Sequence, residues 1–177
     1  MRITGGIYRG RELASPKNQT THPMGSRERL ALFNSLAPSL PDAEVLDAYA
    51  GTGALGLEAL SRGAAHATFI EKDHRAAKTL RQNLTALQIT DQATILETPV
   101  SKASVSGQFD LIFADPPYDH LAPDELASLA QFLKPNGQLI ISHPATFRPA
   151  EFATITGLSH RSTKSYAACN ISIFVAP

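Results

Sequence analysis

The sequence predicts a doubly wound α/β domain: a mostly parallel central sheet with helices on both faces, closed by an antiparallel C-terminal strand pair. Three observations predict it. From Glu44 onward, short apolar runs alternate with helix-patterned segments, as in successive βαβ units. A glycine-rich stretch, Gly51-Thr52-Gly53-Ala54-Leu55-Gly56, follows one such run and opens a helix. After Ser159 the helical pattern stops and two β-prone runs remain. The 177 residues suffice for one full core and are too few for two ordinary domains.

The elements follow in order. Residues 1–20 carry Gly5-Gly6 and Gly10 between short β-prone pieces, with Ser15-Pro16 closing them, and read as a small basic hairpin appended to a main domain of residues 21–177. Ser26 is placed to cap a helix from Arg27 to Leu36 with Leu30, Phe33 and Leu36 on its apolar face, ended by Pro38 and Pro41. Strands are expected near Val45–Ala48, Ala67–Glu71, Ala93–Leu96, Asp110–Ala114 and Leu139–Ser142. Helices are expected from Gly53 to Arg62, His74 to Leu87 and Asp124 to Leu133, while residues 99–108 are too short and polar for one. The tail from Ser159 to Val175 reads as two strands with a turn near Tyr166–Asn170.

Composition narrows the class. Charged residues are 18% and hydrophobic ones 43%, as in soluble globular chains. No apolar run approaches membrane-spanning length, and no signal-like segment opens the chain. The single cysteine, Cys169, excludes an intramolecular disulfide and a cysteine-cluster zinc site, so a reducing, cytoplasmic setting is expected, with Cys169 as a buried packing residue. The six histidines show no metal-ligand spacing, so no metal is expected. His143 after the fifth strand has no evident Ser or Asp partner and reads as structural. Net charge is zero, but residues 1–29 carry Arg2, Arg9, Arg11, Lys17, Arg27 and Arg29 against Glu12 and Glu28. That segment is +4 and the remainder −4, an asymmetry that fits a nucleic-acid surface or a solvated basic face.

The glycine loop fits a nucleotide-like cofactor. Glycines permit a tight turn and close backbone approach, and Glu71, 20 residues beyond Gly51, is placed to accept hydrogen bonds from ribose hydroxyls. The loop alone fits a dinucleotide as well as S-adenosylmethionine. Asp47 tilts the choice. A carboxylate beside a pyrophosphate is repelled, whereas one beside an ammonium is attracted; Asp47 could equally fix the loop backbone.

Asp115-Pro116-Pro117-Tyr118 ends the fourth strand. An exocyclic amino nitrogen on a base is a poor nucleophile, because its lone pair is delocalised into the ring. An enzyme that methylates it must supply acceptors for its N–H groups. The Asp115 carboxylate and the Pro116 carbonyl are two such acceptors, and the prolines stiffen the turn and remove competing donors. The Tyr118 ring offers a face on which an extruded base can stack, a role that needs the ring and not the hydroxyl. No strong general base is required, since the proton can leave after methyl transfer.

Residues 50–64, AGTGALGLEALSRGA, resemble the RsmD-type methyltransferases, and so do the opening MRITGGIYRGR, Arg27, Arg29 and Ala31-Leu32-Phe33-Asn34, and Phe69-Ile70-Glu71-Lys72-Asp73. The resemblance covers essentially the whole chain. It implies a Rossmann-like class I fold and methyl transfer from S-adenosylmethionine to the N2 of a guanine in small-subunit (16S) ribosomal RNA, free or in the assembling subunit, by a monomer. It implies that Asp47, Gly51, Gly53 and Glu71 hold the cofactor, and that Asp115, Pro116 and Tyr118 hold the base. Arg2, Arg9, Arg11 and Arg27 would grip RNA. The chain departs from the family pattern at His22-Pro23-Met24-Gly25-Ser26, at Leu30 where a glutamate is usual, and at Glu97 where an aspartate commonly meets the adenine. Three rivals remain at this point: an adenine-N6 methyltransferase on DNA or RNA, a nicotinamide-dependent oxidoreductase, and a non-catalytic RNA-binding assembly factor.

Overall fold

The computed structural model describes residues 1–15, 24–166 and 169–177. Lys17, Pro16, His22, Pro23 and the centre of the turn before Asn170 therefore lie outside the described residues. Seven strands form one sheet in the order β3-β2-β1-β4-β5-β7-β6. These are β1 (Glu44–Asp47), β2 (His66–Ile70), β3 (Ala93–Leu96), β4 (Phe109–Ala114), β5 (Leu133–His143), β6 (Ser159–Ser165) and β7 (Asn170–Val175). The first five are parallel, and β7 runs antiparallel to both β5 and β6.

Period-two alternation sends each strand's side chains to two cores. Val45, Ala67, Phe69, Leu111, Phe113 and Ile140 pack under α1 (Ser26–Ser35), α2 (Ala54–Ser61) and α3 (His74–Leu87). Leu46, Ile70, Ile112, Leu139 and Ile141 face the other way, onto α4 (Pro123–Ser128) and α5 (Pro149–Thr156). Helices thus lie on both faces, as expected. No α-helix joins β3 to β4; the connection holds only a 3-10 turn at Val100–Lys102. No helix among the described residues is long and apolar enough to cross a membrane.

Several boundaries differ from the sequence-based expectation. Gly25, not Ser26, is the N-cap of α1, and it makes no side-chain cap bond. Leu30 is 41% exposed, while Arg29 beside it is 1% exposed. The expected helix to Leu133 is α4 followed by a 3-10 turn at Leu129–Phe132, and β5 begins earlier, at Leu133. Its register against β4 shifts between Phe109 and Leu111, where Asn136 at φ 61° and Gly137 absorb extra residues. Helix α5 was not expected, although Pro149 at its first turn and Gly157 at φ 71° after its end are ordinary helix punctuation.

Among the described residues, the N-terminal segment contributes one antiparallel bridge, Arg2 to Glu12, and packs on α2. Glu58 of α2 is fully buried. Its carboxylate accepts from the Thr4 N–H (2.8 Å), the Thr4 hydroxyl (2.7 Å), Arg62 Nε (2.8 Å) and Arg29 Nε (3.4 Å). Arg29 also donates to the carbonyls of Arg2 (2.6 Å) and Met24 (3.3 Å). Ser61 closes the same seam, donating to the Gly5 carbonyl and accepting from the Tyr8 N–H.

Removing one partner of such a buried network strands the other charge without water. Glu58→Ala is therefore expected to lower unfolding free energy by about 3–5 kcal/mol, read as a shifted urea midpoint. An unchanged midpoint would show that Arg29 finds other compensation.

Candidate active site

The strand order places β1 and β4 side by side, and their following segments turn to opposite sides of the sheet. Crevices in open α/β sheets form at such a point, beyond the carboxyl ends of the strands. Asp47, the last residue of β1, pairs in register with Phe113, two residues before Asp115. The glycine loop and the Asp115-Pro116-Pro117-Tyr118 turn therefore flank one crevice.

Two carboxylates hold the loop. Asp47 is buried, and its Oδ2 accepts from the Gly56 N–H at 2.9 Å. Glu71, at the end of β2, accepts from the Gly51 N–H at 2.6 Å through Oε2 and from the Asp73 N–H at 2.7 Å through Oε1. The glycines divide their roles. A Cβ on Gly51 (φ 54°) would meet nothing within 4 Å, so that position opens outward. A Cβ on Gly53 (φ 87°) would lie 2.3 Å from Leu80, so its missing side chain lets α3 pack against the loop. Asn83 of α3 donates to the Thr52 carbonyl at 3.0 Å and fixes the same turn.

Asp47 carries the unusual electrostatics. Burial pushes its carboxyl up to about 7, with Asp115 and Glu71 adding repulsion and the Gly56 N–H opposing them. Its Oδ1 is buried without a partner; among the described residues only Gln138 Oε1 shares that condition. An uncompensated buried carboxylate oxygen suits a cation, and an ammonium would satisfy both its charge and its lone pair. The acceptors present therefore fit an ammonium-bearing cofactor, with the Glu71 carboxylate beside the glycine loop.

Asp115 follows β4. Burial raises its pKa, while hydrogen bonds from the Ser142 hydroxyl and the Met24 N–H favour the ionised form. Pro116 is buried, and Tyr118 is partly exposed with its hydroxyl 2.6 Å from Ser142 Oγ. Tyr49 donates to Glu125 of α4 at 2.5 Å, which ties the glycine loop to the helix beyond the turn. Sequence reasoning missed Ser142; Cys169, expected as a buried packing residue, packs against the core but is only partly buried. Cys169 is half-buried and turned toward Tyr118 and Ser142. His143 is buried, bonded to Ser172 at 2.8 Å and packed on Phe147, which fits a structural role.

Glu97 is committed elsewhere. It accepts from Arg81 at 2.7 Å and pairs with His74. Arg2, Arg9, Arg11 and Arg27 are exposed, and Arg11 also reaches the Ala86 carbonyl at 3.3 Å. Arg29, counted in the N-terminal basic excess, is withdrawn from the surface by Glu58.

Comparison with known proteins gives a consistent result. The family described as Conserved hypothetical protein 95 matches residues 1–175. Ribosomal RNA small subunit methyltransferase D of Escherichia coli K12 is 41% identical over 140 residues, covering 78% of this chain and 69% of that protein. The solved structure of yhhF from Escherichia coli aligns with a TM-score of 0.83 at 32% identity, covering 99% of this chain and 97% of that one. A 16S rRNA N2 G1207 methyltransferase of Thermus thermophilus, solved with AdoMet and guanosine, shares the fold. Its TM-score is 0.73 at 22% identity, covering 89% of this chain and 45% of that one.

The Asp47 environment predicts a pH signature. A folded-state pKa of about 7 lies above the unfolded value, so the folded chain holds this proton more tightly. Stability from this group is complete below about pH 4 and declines as pH rises toward 7. Asp47→Asn should thus raise the stability of the ligand-free protein by roughly 1–4 kcal/mol at pH 8 and by little at pH 4. Urea melts at both pH values check this; an equal effect at the two would exclude a proton held at Asp47.

Proposed function

The chain belongs to the family described as Conserved hypothetical protein 95, and from that membership we propose that it methylates the exocyclic N2 of a guanine in small-subunit ribosomal RNA. It is an S-adenosylmethionine-dependent rRNA methyltransferase. The observation that carries the reading of the site is the meeting of Asp47 and Asp115 across β1 and β4, close enough for their charges to interact. One carboxylate faces a cofactor cation, and the other faces a base amino group.

The cofactor supplies an electrophilic methyl group when bound. Asp47 Oδ1 would neutralise its ammonium, Glu71 would take the ribose hydroxyls, and the glycine-loop backbone at Gly51 and Gly53 would lie along it. Asp115 and the Pro116 carbonyl accept the two amino N–H groups, so the nitrogen lone pair is turned out of conjugation and toward the methyl. That interaction strengthens as the nitrogen becomes tetrahedral, which makes it catalytic and not merely binding. The product proton leaves toward Asp115, whose raised pKa suits a transient acceptor. Tyr118 supports the extruded base. Arg2, Arg9, Arg11 and Arg27, all exposed, supply phosphate contacts on RNA or on an assembling subunit, in a cytoplasmic, monomeric enzyme.

Two experiments test the proposal. Asp115→Ala should leave the fold and cofactor affinity intact and lower single-turnover methyl transfer roughly 100- to 1000-fold, as for loss of one oriented polar group. Wild-type turnover in that variant removes the turn from catalysis. Nucleoside mass analysis of the modified RNA should show N2-methylguanosine, and N6-methyladenosine would reassign the base.

The RNA grip is tested separately. Replacing Arg2, Arg9, Arg11 and Arg27 with Ala should weaken RNA binding, with the salt slope falling by about one unit per lost phosphate contact. Cofactor affinity should be unchanged. An unaltered salt slope would place the RNA elsewhere.

A further inference from the structure

We infer that Ser142 is a positioning residue for methyl transfer: its hydroxyl joins Asp115 to Tyr118, so that the acceptor and the base-stacking ring are set as one unit. The inference deepens the proposed function and rests on it. Ser142 lies near the end of β5, where Ala114 pairs with Ile141, so the next residues of the two strands, Asp115 and Ser142, are neighbours. It is 2% exposed, and its Oγ lies 2.6 Å from the Tyr118 hydroxyl.

The proton inventory fixes the direction of this relay. A serine hydroxyl has one hydrogen, and an ionised carboxylate can only accept. Ser142 therefore donates to Asp115, and Tyr118 donates to Ser142. In this arrangement the Tyr118 hydroxyl, to which base stacking alone assigns no part, anchors a ring that would otherwise swing on an exposed loop. Cys169, from the turn between β6 and β7, sits against both hydroxyls and closes the back of the relay.

The consequence is specific. Ser142→Ala and Tyr118→Phe each break the relay, and each should lower kcat roughly 10-fold, the worth of one net hydrogen bond, with KM for S-adenosylmethionine unchanged. Because they break one unit, the double variant should be no slower than either single one. The acid limb of the kcat profile should move to higher pH in Ser142→Ala, since the lost hydrogen bond favoured ionised Asp115. The ionisable groups facing Asp115 are Asp47 from β1, Tyr118 on its own loop and Cys169 from the β6–β7 turn, with Glu28 of α1 behind Cys169; all keep their identity in that variant. Ser142→Thr, which keeps the hydroxyl, should restore both rate and profile.

Single-turnover rates across pH for these variants and for Asp115→Ala decide the matter, with urea melts confirming that each variant folds. Non-additive losses, a shifted acid limb and rescue by Thr support the relay. If Asp115→Ala collapses while Ser142→Ala keeps the wild-type rate and profile, the relay is wrong and the proposed function stands. Additive losses with an unmoved profile also overturn it, leaving Ser142 as packing. If Asp115→Ala itself turns over normally, the reading of the site fails first.

Discussion

Glu58 cannot reach water, and most of the architecture around the crevice follows from neutralising it where it lies. It sits in α2, immediately beyond the glycine loop. Its four donors come from the N-terminal segment, from α1 and from its own helix. A charged group in that position brings distant parts of the chain together or destabilises the fold. Arg29 extends the consequence. Its remaining N–H groups take the carbonyls of Arg2 and Met24. The Met24 N–H in turn stabilises ionised Asp115. A structural ion pair is thereby linked, through Met24, to the surroundings of the group proposed to hold the substrate.

The crevice brings together the carboxylates of Asp47, Glu71 and Asp115. Asp47 and Glu71 spend oxygens on the N–H groups of Gly56 and Gly51, which gives the glycine loop a fixed shape before any ligand arrives. Pre-organisation of this kind reduces the ordering cost of binding. The same burial leaves Asp47 Oδ1 unpartnered and lifts its pKa to about 7. In the proposed function, a cationic cofactor would relieve both conditions together. The site is therefore shaped by what it lacks electrostatically as much as by what it contacts.

The legible parts were those encoded by local pattern. The βαβ alternation is set by side-chain periodicity, so β1 to β4, α2, α3 and the antiparallel tail were readable from residues alone. Misreadings arose where a tertiary partner overrode a local preference. Leu30 fits an apolar helical face better than Arg29 does, yet Arg29 turns inward because Glu58, 29 residues away, needs it. Basic residues in the first 29 positions looked like one surface, and burial splits Arg29 from the rest. Helix α5 is weakly legible in the sequence despite Pro149 and Gly157, because Thr154, Ile155 and Thr156 are β-branched and weaken the helical signal.

The sequence by itself determined the fold class, the glycine loop, the acidic residue beyond β2 and the Asp-Pro-Pro-Tyr turn, because each is a short run whose chemistry is carried by neighbours in the chain. Only the tertiary structure decided that Ser142 bonds Tyr118 beside Asp115, that Glu97 is engaged by Arg81 and His74, and that Asp47 keeps one oxygen free. These depend on which strands lie side by side and on where water is excluded. Strand order and burial are properties of the packed sheet, and no window along the chain contains them.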